Sequence, residues 1–306
     1  MTTHGNIDTD VKSPALADKA RAKVNLTLRV LGRRADGYHD LASLVVFADC
    51  ADRLTLDAGP ELSLSTSGPG GGDCGATADN LVLKATQLLA ERVPELRVGA
   101  FKLDKRLPVA AGIGGGSADA AAALRLLARL NALASDDPRM MEAARLTGAD
   151  VPVCVASQSS VMTGIGEQLS LVRVPKMPCV MVNPRVAVAT AEVFTALGLR
   201  KGEILTDVTD VVRSRKWPTE ESSVEEWLKA LGHAANDLEA PAIKIQPAIG
   251  EVLSTLRDLT GVRLVRMSGS GATCFALFDS DADARAAGQA LQSSHPQWWV
   301  HAGTLG

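Results

Sequence analysis

Apolar and polar residues alternate over residues 20–31. Ala22, Val24, Leu26, Leu28 and Val30 occupy one set of positions, and Arg21, Lys23, Asn25, Thr27 and Arg29 the other. A period of two predicts a half-buried strand with Lys23 and Asn25 on its open face. A charged turn follows at 32–37, then Tyr38-His39-Asp40, and further strands are predicted over 41–47, 53–57 and 61–65. The period lengthens over 79–92, where Leu81, Ala85, Leu88 and Leu89 share one helical face. Next come a strand at 98–103, an alanine-rich helix opened by Ser117 and running to 133, and a helix at 138–146. The apolar, β-branched run 151–156 reads as a buried strand.

The pattern restarts after residue 170. Strands are predicted at 179–183, 262–267, 273–278 and 298–302, and helices at 190–197, 224–231, 247–259 and 282–292; the stretch 200–222 carries charge of both signs. Mixed strands and helices in this order predict an α+β protein of two domains, 1–170 and 171–306, with residues 1–18 as a flexible leader and 67–75 as a Gly/Pro-rich loop.

Composition removes several function classes. Of 306 residues, 46% are hydrophobic and 22% charged, which fits a globular chain. Lys+Arg number 32 against 35 Asp+Glu, so no basic excess exists to neutralise a nucleic-acid backbone. Aromatics at 3% are too few for a base-stacking groove. No apolar run approaches the roughly 20 residues of a membrane helix, and the polar N-terminus lacks a secretory h-region. Five cysteines without a CxxC predict buried thiols in a reducing cytoplasm, not disulfides or a zinc knuckle. Asp279-Ser-Asp281-Ala-Asp283 imitates the start of a calcium loop, but Ala284 and Ala290 stand where Gly and Glu are required, so a helix cap is expected. Arg213–Lys216 is too short for a nucleic-acid patch.

The most informative stretch is Pro108, Val109, Ala110, Ala111, Gly112, Ile113, Gly114, Gly115, Gly116, Ser117 and Ala118. Glycines ahead of a helix leave amides unshielded at its positive end, which makes a phosphate cradle; the alternative is a flexible loop capped by Ser117. The P-loop pattern fails because no Lys precedes Ser117, and the dinucleotide fingerprint fails because Ser117 stands at its third glycine.

The segment 108–118 resembles the signature of the GHMP small-molecule kinases. Ala22-Lys23-Val24-Asn25-Leu26 resembles the N-terminal motif of that family, and Met267-Ser-Gly-Ser-Gly-Ala272 its C-terminal glycine motif. The run Gly32-Arg-Arg-Ala-Asp-Gly-Tyr-His39 and Gly148-Ala-Asp-Val-Pro152 resemble the branch whose substrate is a cytidine diphosphate derivative of a methyl-tetritol. The resemblance implies the two-domain GHMP kinase fold with its active site in the cleft between domains. It also implies ATP and Mg2+ as cofactors, a small-molecule alcohol as acceptor, and a cytoplasmic monomer or homodimer. Arg21 stands where the family often has Pro.

The roles implied are specific. Asp150 is the candidate base, against a turn residue bonding its own backbone. Lys23 is its candidate partner, holding Asp150 ionised and steadying the alkoxide, against a solvated strand lysine. Residues 108–118 would hold the ATP phosphates, with Ser117 the candidate Mg2+ contact or merely the N-cap. Asn80 would touch the adenine side or cap a helix. Lys105 and Arg106 would only bias the field of the loop. Asn25 would face the acceptor, Tyr38 stack on the cytosine and His39 read its edge, against a plain turn. Thr190 would bond the tetritol or its phosphates, or cap its own helix. Rival functions are a GHMP kinase for another alcohol, such as mevalonate or homoserine, and a silent ligand sensor on the ATP fold.

Overall fold

The structure, a computed structural model, describes residues 15–74, 77–206 and 217–306. The strand predicted from residue 20 is β1, Leu16–Arg33. It therefore takes in the end of the expected leader, where Asp18 is bonded to Arg125 at 3.0 Å. β1 lies antiparallel along β2, His39–Gly59. Two strands were predicted where β2 is continuous. Its polar middle stays in the sheet because Asp52 is fully buried, with hydrogen-bond donors to both carboxylate oxygens.

The other edge of β2 receives three strands in turn. β5, Ser160–Gly164, pairs along 41–45; β10, Trp299–Leu305, touches at Ala48; β4, Val98–Asp104, pairs along 53–59. β3, Ser63–Ser67, runs parallel to β4, and β6, Gln168–Leu171, hairpins with β5. From β10 the sheet continues through β7, Met177–Asn183, β9, Cys274–Phe278, and β8, Val262–Met267. The expected division at 170/171 falls inside β6.

Helices α1, Leu81–Ala90, α2, Gly115–Leu130, α3, Pro138–Thr147, and α4, Val151–Ala156, belong to the first half. Their apolar faces, including Leu89 and Leu127, share a core with Phe47, Leu54 and Phe101 of the sheet. Helices α5, Thr190–Ala196, α6, Val224–Gly232, α7, Glu239–Ile245, α8, Ala248–Arg257, and α9, Asp281–Ser294, belong to the second. There Ile249, Leu253 and Leu291 pack on Val180 and Phe278. A third core joins the halves: Ala22, Val24 and Leu26 of β1 meet Ala111 and Ile113 of the glycine loop together with Met181 and Phe275.

The segment 151–156 is a helix, not the predicted strand. Six apolar residues fit either element, and Pro152 in the first turn favours a helix, since it supplies a fixed φ and needs no amide there. The short β5, β6 and α7 carry too few residues to show a period and were not predicted. Ser280 caps α9 as expected for the calcium look-alike, accepting the Asp283 amide. Arg213–Lys216 lies outside the described residues. Cys154, Cys179 and Cys274 are buried, whereas Cys50 and Cys74 are half-buried.

Arg21, the departure from the family pattern, sits where the halves meet. Its guanidinium donates to the carbonyls of Phe47 and Ala48, each at 2.9 Å, beside the Leu305–Ala48 bridge, and lies 5.6 Å from the Phe47 ring centre. Arg21→Ala is expected to cost about 1–3 kcal/mol of stability, and Arg21→Lys to recover less than half, because one ammonium cannot reproduce the planar fork. Urea unfolding of both variants checks this.

Candidate active site

Beyond β4 the chain runs from Lys105 to Gly114 without regular structure, anchored by buried Leu107, Ala111 and Ile113. Pro108 is half-buried, and Val109 and Ala110 are exposed. α2 starts at Gly115, two residues before the predicted start, because Gly114 is the N-cap at φ 62°. Ser117 is therefore the third helical residue and not a cap, and its hydroxyl has no hydrogen-bond partner among the described residues. The amides of Gly115, Gly116 and Ser117 find no acceptor among the described residues; the first satisfied one is that of Ala118, bonded to the Gly114 carbonyl at 2.8 Å. Three unsatisfied amides at a helix N-terminus form an anion cradle and fit a polyphosphate.

Two glycines are needed for space as well as conformation. At Gly112, φ +72°, a Cβ would lie 2.5 Å from the Gly271 carbonyl oxygen and 2.7 Å from that of Ser268. At Gly114 a Cβ would sit 3.3 Å from Lys23 Cβ. At Gly116 it would meet only Leu81 Cδ1, at 3.5 Å.

Lys23 joins this loop to the candidate base. Its amide donates to the Ile113 carbonyl at 2.9 Å, and its Nζ donates to Asp150 Oδ2 at 2.8 Å. Asp150 stands at the N-cap of α4 but makes no side-chain cap bond, which removes the turn alternative. The expected open face of β1 is in fact covered: Lys23 is 4% exposed and Asn25 1%. Asn25 donates to Ser43 Oγ at 2.7 Å, and its amide donates to Ser268 Oγ at 3.1 Å. Asn25 Oδ1 is buried without a donor. Ser268 in turn donates to the Gly112 carbonyl, so one hydroxyl ties β1, the glycine loop and the 268–271 turn together.

The remaining predicted residues lie on other elements. His39 stacks on Phe194 of α5, ring centres 4.6 Å apart, and its Nε2 is buried without a partner. Burial, with the Arg33 charge behind it, holds this imidazole below its ordinary pKa. Tyr38 is exposed. Thr190, at the head of α5, caps nothing; its hydroxyl bonds Ser270 Oγ at 2.9 Å. Arg34 reaches Asp40 and Glu167, and a Cβ on Gly166, beside Glu167, would lie 3.2 Å from the Ala149 carbonyl oxygen. Asn80 caps α1, accepting the Val82 amide at 3.0 Å, next to Leu81 and the cradle.

Some neighbours of the site were not singled out from sequence. Ser268 and Ser270 lie in a motif recognised only for its glycines, and Phe194 stands four residues after Thr190, on the same helical face. Lys105 is not a field-biasing surface charge. It is 3% exposed and bonds Asp52 Oδ2 and Asp119 Oδ2, both at 2.6 Å. Burial alone would lower its pKa, but the two carboxylates outweigh it and hold the ammonium above its usual value. Burial pushes the Asp119 carboxyl up against the pull of Lys105.

Comparison with known proteins places this geometry. The family models for the GHMP kinases N terminal domain and GHMP kinases C terminal match residues 80–158 and 217–297. The chain belongs to the GHMP kinase family. It is 67% identical over 291 residues to the 4-diphosphocytidyl-2-C-methyl-D-erythritol kinase of Rhodopseudomonas palustris (strain HaA2), covering 95% of this GHMP kinase and 98% of that protein. A crystal structure of 4-(cytidine 5'-diphospho)-2C-methyl-D-erythritol kinase superposes with a TM-score of 0.70 at 34% identity, over 95% and 99% of the two chains. Homoserine kinase from Cytophaga hutchinsonii also reaches 0.70, at 18% identity over 98% of each chain, which shows the shared fold alone. GHMP kinases use ATP as phosphate donor. No described helix is long and apolar enough to cross a membrane.

The glycine run of this GHMP kinase is expected to tolerate substitution unevenly. Gly114→Ala forces a left-handed side chain against Lys23, and kcat/KM for ATP should fall at least about tenfold, because the strain of roughly 1–2 kcal/mol displaces the cradle amides. Gly116→Ala should stay within about twofold. Steady-state kinetics of the two variants tests the contrast.

Proposed function

We infer that this chain transfers the terminal phosphoryl group of ATP to a hydroxyl of 4-diphosphocytidyl-2-C-methyl-D-erythritol, giving the 2-phosphate, a step of non-mevalonate isoprenoid precursor biosynthesis. Identity of 67% across nearly the whole of a kinase of that name supports the acceptor. The observation that carries the chemistry is the Lys23–Asp150 pair beside three free amides.

In the mechanism, the amides of Gly115, Gly116 and Ser117 bind the phosphate tail, with residues 108–118 as its frame. Asp150 accepts the hydroxyl proton as the oxygen attacks phosphorus. Its Oδ2 is already engaged by Lys23, so its other oxygen is available for that proton. The Lys23 ammonium faces the developing alkoxide and offsets its charge. Asn25 Oδ1, buried and lacking a donor, supplies an acceptor for an acceptor-alcohol hydroxyl. The His39–Phe194 stack, with Tyr38 at its rim, offers an aromatic face and an unused ring nitrogen for the cytosine, and the Thr190–Ser270 hydroxyl pair faces the tetritol and its phosphates. Asn80, holding α1 next to Gly116, lies on the adenine side.

The donor set also fits Mg2+ carried by phosphate. No group of three His, Cys, Asp or Glu that could cage a metal exists among the described residues, and Mg2+ keeps several waters and takes few protein ligands when it rides on nucleotide phosphates. Ser117, with its free hydroxyl, is the side chain that would hold it. When bound, the ion neutralises phosphate charge. We read 1–170 and 171–306 as the two domains whose meeting forms the site, in a cytoplasmic enzyme.

Incubation with ATP and 4-diphosphocytidyl-2-C-methyl-D-erythritol should yield a new monophosphate ester resonance by 31P NMR; its absence, with turnover of mevalonate or homoserine instead, would sink the assignment. Lys23→Ala and Asp150→Asn should each lower kcat about 100-fold or more. Near-full turnover in either variant would remove that residue from the chemistry. His39→Ala should raise KM for the cytidylyl alcohol at least about tenfold and leave KM for ATP within about twofold; an equal rise in both would count against base recognition.

A further inference from the structure

The glycine loop is held at both ends by one buried ammonium. Lys105 follows β4 and starts the irregular stretch; Asp119 lies one turn into α2, where the stretch ends. The Lys105 ammonium bonds Asp119 across that span and Asp52 of β2 behind it. Asp52 Oδ1 fixes the next two residues by accepting the amides of Arg106 and Leu107, at 2.6 and 2.8 Å. A Cβ built on Gly115 would lie 3.2 Å from Lys105 Nζ, so the ammonium is packed against the residue that presents the first free amide of the cradle. The Gly-rich segment after β3 closes over the same lysine: Lys105 donates its amide to the Ser67 carbonyl and accepts that of Gly70.

We propose that Lys105, seated by Asp52 and Asp119, is a positioning residue for phosphoryl transfer that sets the direction of the Gly115–Ser117 amides toward the nucleotide phosphates. The inference rests on the reading of those amides as the ATP cradle. A buried lysine serving stability alone has no need to lie where a Cβ on Gly115 would press on its ammonium. Nor does stability explain Asp119, which is nearly fully buried, shares the ammonium with the carboxylate of Asp52 and leaves Oδ1 without a donor among the described residues, a costly arrangement for a buried carboxylate. Asp119 is placed where its Oδ2 draws Lys105 onto the first turn of α2.

The test uses Asp119→Ala, which removes one arm of the seat, and Asp119→Asn, which keeps an oxygen for Lys105. The Ala variant should raise KM for ATP at least about fivefold, leave KM for the acceptor alcohol within about twofold, and lower kcat less than KM rises. The Asn variant should return KM for ATP to within about threefold of the parent protein. If Asp119→Ala does not fold, Asp119→Ser, which is polar but too short to reach Lys105, takes its place with the same expectation. An unchanged KM for ATP in the truncated variant, an equal rise in both KM values, or no recovery with Asn would overturn the proposal. Calorimetric titration with ADP alone should rank the proteins in the same order. A mistaken acceptor alcohol would thus leave this result intact, whereas a parent protein that fails to bind ADP would strike at the cradle itself.

Discussion

Everything at the site depends on how one strand residue is held. Lys23 is bound by its backbone to the Ile113 carbonyl and by its side chain to Asp150, and its aliphatic stem lies under Gly114. One residue therefore fixes the distance between a phosphate cradle and a carboxylate that is remote in sequence. Burying an ammonium to 4% exposure costs several kcal/mol unless a well-placed partner offsets it. That cost ties the two segments together, because Asp150 cannot move away without stranding the charge. The period of two then sets Asn25 on the same face, where Ser43 and Ser268 hold it with one oxygen left free.

Much of this was legible in the sequence, and the gaps have physical causes. Alternation exposed β1, and the glycine run, which fails the P-loop and dinucleotide patterns, resembles the GHMP signature instead. Alternation could not show that the polar face of β1 is covered, since the covering groups, Asp150 and Ser268, arrive from distant segments. The helix at 151–156 was read as a strand because six apolar residues carry no period, and Pro152 was the one discriminating residue. The strands expected at 41–47 and 53–57 are one strand for a related reason: the buried Asp52 between them is satisfied by Lys105, which arrives from a distant segment. The start of α2 was placed at Ser117 by its capping propensity, while the chain uses the left-handed Gly114 instead and leaves the serine hydroxyl unengaged.

The two buried lysines share a principle and differ in purpose. Lys23 has one carboxylate, which is one-third exposed on its side chain and open to a substrate. Lys105 has two, both closed to solvent. The first pair is open to solvent on the Asp150 side; the second is enclosed. A fully enclosed charge cluster of this kind tolerates little rearrangement, because any shift leaves an unpaired charge in a low-dielectric interior. Rigidity is what a backbone cradle requires, since amides aimed at phosphate lose effect when displaced by a fraction of an ångström.

The fold itself does not choose the acceptor alcohol. A homoserine kinase overlaps this chain as well as a cytidylyl-methylerythritol kinase does, each with a TM-score of 0.70, so the choice must lie in side chains that can change without disturbing the cradle or the Lys23–Asp150 pair. The His39–Phe194 stack and the Thr190–Ser270 pair meet that condition. His39 and Phe194 come from the start of β2 and from α5, and Thr190 from the head of α5. None of the three is hydrogen-bonded to residues 108–118, to Lys23 or to Asp150. We read the His39–Phe194 stack as the base-selecting element, because an imidazole resting on a phenyl ring matches a flat base better than it matches an aliphatic acid.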